Sequence, residues 1–229
     1  MALYVLGDMH LSIGTPDKSM EVFSGWEDYH KLLEKNWLKI VKDEDTVVLA
    51  GDTSWAMKIE NAEADFGFIN KLTGRKIILK GNHDYWWTSM KKMNDFFIKN
   101  SFNTLNILHN NHYNYDSYGI CGTRGWVNMG EEVADEKIMA REVQRLEESI
   151  KSALREELIP IVFLHYPPIY GNSYNYDILE VMYKYKINRC YYGHIHGLGH
   201  KKAIIGERDG IKFELISSDF LRFAPKRVL

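Results

Sequence analysis

Five short clusters of acid, amide and imidazole side chains recur along the chain: Asp8-Met9-His10, Asp52, Asn82-His83-Asp84, His165 and His194-Ile195-His196. Each supplies only one to three ligating groups, too few to hold a cation alone. Gathered at one place, they offer enough oxygen and nitrogen donors for two divalent cations. A carboxylate can bridge two ions, while neutral imidazoles and an amide oxygen complete the shells without excess negative charge. Such a mixed set suits manganese, iron or zinc; calcium and magnesium prefer all-oxygen shells. No thiolate belongs to the set, which argues against a structural zinc site. A pair of divalent ions is suited to attacking phosphate esters, because it lowers the pKa of a bound water and neutralises phosphoryl oxygens.

Each cluster follows a run that reads as a strand. Leu3–Leu6 precedes Asp8, Thr46–Ala50 precedes Asp52, and Lys76–Leu79 precedes Asn82. Ile161–Leu164 leads into His165, and Arg189–Tyr192 into His194. Apolar residues at helical spacing predict helices over 26–41, 59–72, 87–99, 131–157 and 176–185. Gly74 is the expected C-terminal cap of the second, and Met139, Val143, Leu146, Ile150 and Leu154 form the apolar face of the fourth. Leu105–Leu108 and Tyr118–Cys121 lack an intervening helix and read as a hairpin; so does 203–216 around Asp209-Gly210. Early βαβ units followed by hairpins predict an α/β sandwich of mixed sheets in one continuous domain, 1–229. In open α/β sheets the loops leaving the carboxyl ends of the strands gather at one edge, which is where the five clusters fall.

The clusters, in this order, resemble the calcineurin-like metallophosphoesterases. That family carries Asp-x-His, Gly-Asp, Gly-Asn-His-(Asp/Glu), a lone His after a strand, and Gly-His-x-His. Here these are Asp8-Met9-His10, Gly51-Asp52, Gly81-Asn82-His83-Asp84, His165 and Gly193-His194-Ile195-His196, spread over residues 7–196. The resemblance implies a four-layer α/β/β/α sandwich with a dinuclear metal site at the strand ends. It implies that Asp8, His10 and His196 hold one ion, that Asp52 bridges, and that Asn82, His165 and His194 complete the second shell. It further implies metal-dependent hydrolysis, with a hydroxide between the ions as nucleophile and His83 as general acid. Asp84 joins His83 in the catalytic group as the residue that positions its loop. Manganese is the expected metal, with iron or zinc as alternatives.

One segment departs from the protein Ser/Thr phosphatase branch. That branch carries Gly-Asp-x-x-Asp-Arg-Gly, whose second Asp pairs with the catalytic His and whose Arg grips phosphate. This chain has Gly51-Asp52-Thr53-Ser54-Trp55-Ala56, with neither. Phosphoprotein phosphatase activity is therefore not expected, and the partner that orients His83 is unassigned. The nearest phosphate clamp is Arg124, in Gly122-Thr123-Arg124-Gly125-Trp126 after a strand; it reads equally as a surface residue.

Trp55, Trp86, Trp87, Trp126, Tyr166, Tyr170 and Tyr174 fall near the predicted site, where they either stack a nucleobase or enclose a water-poor cleft. The polar loop 12–25 is positioned as a lid. His30, His109 and His112 are expected to face solvent, and His200 is an outer partner of the last motif at best. Expected substrates are phosphorylated small molecules, as monoesters or diesters; the alternative is a nucleotide or nucleic-acid phosphodiesterase. A net charge of -2 gives no strong nucleic-acid signal. A non-catalytic scaffold is disfavoured, because the ligand set and His83 are all present. Cys121 and Cys190 have neither disulfide-framework nor zinc-ribbon spacing and read as buried free thiols. With no secretory signal or membrane-length apolar run, the expected location is cytoplasmic.

Overall fold

The structure, a computed structural model, describes residues 1–126 and 136–229. In chain order the strands are β1 (Leu3–Leu6), β2 (Thr46–Ala50), β3 (Arg75–Leu79), β4 (Leu105–Ile107), β5 (Tyr113–Tyr115), β6 (Tyr118–Thr123) and β7 (Ile159–Leu164). They continue as β8 (Ile169–Tyr170), β9 (Ser173–Tyr174), β10 (Arg189–Tyr192), β11 (Gly206–Arg208), β12 (Ile211–Leu215) and β13 (Lys226–Arg227). The helices are α1 (Tyr29–Ile40), α2 (Glu63–Lys71), α3 (Met90–Lys99), α4 (Glu136–Leu154) and α5 (Tyr176–Lys184).

Two mixed sheets form. The first has the order β13-β1-β2-β3-β4, the second β11-β12-β10-β7-β6-β5, and β8-β9 is a separate hairpin. Strands β1 to β4 run parallel, as do β6, β7, β10 and β12, while β13, β5 and β11 add antiparallel edges.

Side-chain alternation along the strands sorts the core into layers. Leu3, Val5, Val48, Ile77 and Leu79 meet Ile120, Ile161, Phe163 and Tyr191 between the sheets. The alternate residues Tyr4, Leu6, Val47, Leu49 and Ile78 pack instead with Leu33 and Trp37 of α1, Phe66 of α2 and Phe97 of α3. Behind the second sheet, Val162, Leu164 and Tyr192 pack on Leu146 and Ile150 of α4 and Ile178 and Met182 of α5. The result is the expected α/β fold, two mixed sheets flanked by helices.

Several element boundaries differ from expectation for local reasons. α1 begins at Tyr29, not Trp26, because Gly25 and Asp28 take left-handed conformations (φ 89° and 50°) that break the helical path. The helix expected over 59–72 divides into a 3-10 turn, Ile59–Ala62, and α2, which ends in an extended Leu72 before Gly74 turns the chain at φ 82°. α3 starts at Met90, where Ser89 caps the Lys92 N–H. The hairpin expected between Leu105–Leu108 and Tyr118–Cys121 does not form. β4 instead joins β3 in the first sheet, and β6 pairs with β5 in the second. The start of the fourth expected helix, 131–135, lies outside the described residues, and Leu154 at its end is 41% exposed. No helix among the described residues is long and apolar enough to cross a membrane.

Candidate metal centre

Topology brings the clusters together. Adjacent parallel strands β1, β2 and β3 deliver Asp8, Asp52 and Asn82 to one edge, and adjacent parallel β7 and β10 deliver His165 and His194. The sheets meet at that edge: Gly7 N–H donates to the Ile216 carbonyl at 2.7 Å, and Ser218 Oγ–H to the Gly7 carbonyl at 2.6 Å.

The backbone there is bent in an unusual way. Asp8, His10, Asp52 and His194 all sit at positive φ, between 46° and 72°. Asp and His tolerate this region better than most residues, but four in one site is a concentration of strain of the kind found at functional centres. Gly81 and Gly193 make room: a Cβ on either would run into the carboxylate of Asp52 or of Asp8.

Two donor groups result. Asp8, His10 and His196 place ligand atoms within 4.8 Å of one another, and Asp52, His165 and His194 do the same. Asn82 joins the second group, its Oδ1 lying 2.5 Å from His165 Nε2 and 3.0 Å from His194 Nδ1. Asp52 stands between the groups, with Oδ2 3.7 Å from His10 Nε2 and 3.4 Å from His165 Nε2.

The donor chemistry fits cations. The Ala50 carbonyl can only accept, so His165 Nδ1, 3.0 Å away, carries the proton and Nε2 presents a lone pair. That lone pair faces the Asn82 amide oxygen, acceptor against acceptor. His196 Nδ1 donates to Asp219 Oδ1 at 2.9 Å, which turns its Nε2 toward His10 Nε2 at 3.3 Å. The His165–Asn82 pairing is favourable only around positive charge.

Electrostatics agree with that reading. Burial holds the His10 imidazole well below its ordinary pKa and lowers His165 to about 3 and His194 to about 2, so all three are neutral donors at pH 7. Burial works against charge on His196 too, but the bond to Asp219 and the nearby Asp8 outweigh it and raise its pKa. Burial also pushes Asp8 up to about 7 and Asp52 to about 6. Buried carboxylates this close together call for a counter-charge.

Asp84 is fully buried, and its carboxylate is saturated. It accepts from the N–H groups of Asp52, Thr53, Ser54 and Gly81 and from Trp86 Nε1, at 2.7–3.3 Å. It therefore locks the Asp52 loop to the Asn82-His83 loop, which gives its loop-positioning role a physical form. His83 donates its backbone N–H to Asp52 Oδ1 at 2.7 Å. Its ring lies 4.5 Å from that of Trp55 and 5.7 Å from that of His10, beside an open cleft. Arg124 is not a free surface residue: its guanidinium lies 3.5 Å from the buried Glu142 carboxylate and 4.6 Å over the Trp126 ring.

Sequence reasoning missed Asp219, whose two oxygens hold His196 Nδ1 and the Gly197 N–H at 2.9 Å. The available signal was an acid just past β12, a strand parallel to β10. His200 approaches Asp219 Oδ2 at 3.3 Å, so it is an outer partner of the last motif after all. Asp65 was also missed; it ties the 12–14 loop to Ser54 by accepting from Ile13 N–H and the Ser54 hydroxyl. Among the aromatics, Trp55 reaches the site and Tyr166 packs 4.3 Å from His194, but Trp86 is core, edge-on to Phe66. His109 and His112 are half-buried, the latter with Nδ1 2.8 Å from Ser152 Oγ, so solvent exposure was the wrong expectation for both.

Fold and site together define an α/β sandwich protein with the capacity to hold metal ions at the carboxyl edge of its sheets. The chain belongs to the calcineurin-like phosphoesterase family, which it matches over residues 1–198. A family of this kind supports metal-dependent phosphoester hydrolysis in general. The chain is also 30% identical over 83 residues to an uncharacterized protein of Methanocaldococcus jannaschii, a match covering 36% of this chain and 46% of the other. It thus spans less than half the length of that curated relative. Among solved structures, it resembles a protein of unknown function from Aquifex aeolicus (TM-score 0.53, 17% identity, 99% and 95% of the two chains). It also resembles a phosphopantetheinyl hydrolase from Mycobacterium tuberculosis (TM-score 0.55, 12% identity, 100% and 95%). At these identities both likenesses show the fold alone.

Proposed function

We propose that the protein hydrolyses a phosphate ester of a small molecule, as a phosphomonoesterase or small-molecule phosphodiesterase, with two divalent ions, manganese first among them. The observation that carries this reading is the sharing of Asp52 between two groups of imidazole nitrogen and acidic oxygen donors. Asp8, His10 and His196 would hold one ion, Asn82, His165 and His194 the other, and Asp52 both. When bound, such a pair supplies a water of lowered pKa and charge to neutralise the phosphoryl group.

The chain's own residues would do the rest. His83, on the cleft wall, holds the proton that passes to the leaving oxygen, and Asp84 positions His83 through the loop it clamps. Arg124 adds positive charge near the second group, close enough to lower the His165 pKa, and binds phosphate oxygens on exchanging its Glu142 contact. Burial of the free thiols Cys121 and Cys190 supports a cytoplasmic location. The likeness to a phosphopantetheinyl hydrolase makes a phosphopantetheinyl ester worth including among substrates tested.

The test is reactivation. Protein stripped of metal is supplied with manganese, iron or zinc and assayed on an aryl phosphate, cyclic and linear phosphodiesters and an oligonucleotide. Hydrolysis of a small ester restored by a divalent ion is expected. Failure of every metal on every substrate would sink the reading, and activity confined to the oligonucleotide would replace it with the nucleic-acid alternative.

A further inference from the structure

A cleft of about 690 Å³ opens on the side of the metal centre occupied by His10, His196 and His83. That volume suits a small organic ligand. Met20, Phe23, Ser24, Gly25 and Trp26 line the cleft, from the end of the 12–25 loop that the sequence suggested as a lid and the residue after it. The segment is anchored: Met20 is 8% exposed and Trp26 only 4%. Trp26 is fixed edge-on by Tyr29 and Phe223, at 5.2 and 5.0 Å, and presents its ring 5.7 Å from His196. Phe23 is 57% exposed, and Trp55, stacked 5.0 Å over His10, also lines the cleft.

The charge inventory of this cleft is as informative as its apolar surface. Among the described lining residues none is Lys or Arg. Asp219 is the one acid, and it is bonded to His196 and Gly197. The cationic side chain near the site, Arg124, belongs to the Glu142 and Trp126 side and is not part of this lining. Beyond the metal ions and the His83 proton, which serve the phosphoryl group and the leaving oxygen, a second phosphate or a carboxylate entering the cleft would find no Lys or Arg and would meet Asp219.

We infer that this cleft is the leaving-group subsite, and that the leaving group is an uncharged apolar alcohol, alkyl or aryl, packed between Trp26, Phe23, Met20 and Trp55. The inference rests on the phosphoesterase reading, since it takes His83 on the cleft wall to deliver the proton to the departing oxygen. In the step, the P–O bond to the alcohol breaks, water supplies the new P–O bond, and the alcohol leaves with the proton from His83. Water's remaining proton restores the imidazole.

The experiment uses manganese-loaded protein with methyl, ethyl, propyl and butyl phosphate, whose leaving groups differ little in reactivity but differ in apolar size. Burying a methylene is worth about fourfold, so kcat/KM should rise about 60-fold over three added methylenes. A propyl ester ending in a carboxylate should fall below propyl phosphate. The binding of the matching alkylphosphonates, measured by calorimetry, should tighten with the same trend. Phe23→Ala, at an exposed position, should flatten both slopes. A flat series, or preference for the carboxylate, overturns the inference while leaving the phosphoesterase reading intact. Inert alkyl esters overturn that reading only if aryl phosphate and phosphodiesters are inert as well, and a flat phosphonate series overturns the subsite in either case.

Discussion

Replacing Asp219 with Asn probes the metal centre from outside its ligand set. Asp219 Oδ1 receives the His196 Nδ1 proton at 2.9 Å, and Oδ2 receives the Gly197 N–H at 2.9 Å. Its side chain is 14% exposed, so water cannot readily replace either bond. An amide keeps one acceptor oxygen and turns the other position into a donor. Either the His196 ring or the Gly197 N–H must then face an NH2 group. Loss of a partner that orients a ligating imidazole typically weakens metal binding 10–100-fold, or about 1.4–2.8 kcal/mol. The effect should be local, because Asp219 contacts the His196 side and not His165 or His194. Calorimetric titration of manganese into metal-stripped Asp219→Asn should therefore show one site weakened by this factor and the other within about threefold of wild type. Equal weakening of both sites, or of neither, would refute the assignment of Asp219 to the first group.

Two further outcomes follow from other parts of the molecule. His83→Ala should retain its metals but lose most activity on alkyl esters, whose leaving oxygens need a proton, while losing much less on a nitrophenyl ester; equal losses would remove the acid role. Lys76 is fully buried, with its Nζ donating to the Gly74 carbonyl at 2.8 Å and Thr104 Oγ1 at 3.1 Å, and burial pushes its pKa from 10.5 down to about 8. Between those values the unfolded chain binds the proton and the folded chain does not, so folding stability gained from this group rises with pH. Relative to Lys76→Met, wild type should gain at most about 3 kcal/mol of unfolding free energy from pH 8 to pH 10.5, read by urea denaturation; a difference that does not change with pH would contradict it.

The ligand candidates were legible because each sits just past a strand, and parallel strands in one sheet put their carboxyl ends at one edge. Asp8, Asp52 and Asn82 needed only that rule, as did His165 and His194. What the rule leaves out depends on long-range contact. Asp219 follows β12, whose pairing beside β10 is not encoded in any local pattern. Trp26 looked like the first turn of a helix by its spacing to Tyr29 and Leu33. The left-handed Gly25 and Asp28 release it to line the cleft instead. β4 and β6 looked like hairpin partners because no helix separates them, yet each finds a parallel neighbour in a different sheet. Asp84 was placed beside His83 by order alone. Its clamp on five donors depends on the meeting of two loops about thirty residues apart.

On the proposed reading, Asp52 joins two metal sites into one centre. Metal analysis of the manganese-reconstituted wild type and Asp52→Asn proteins, after exhaustive dialysis, tests it most directly. Two ions per chain are expected in the wild type, and loss of tight binding at both sites in the variant, since Asp52 Oδ2 faces His10 Nε2 at 3.7 Å and His165 Nε2 at 3.4 Å. Retention of two tightly held ions by Asp52→Asn would contradict it.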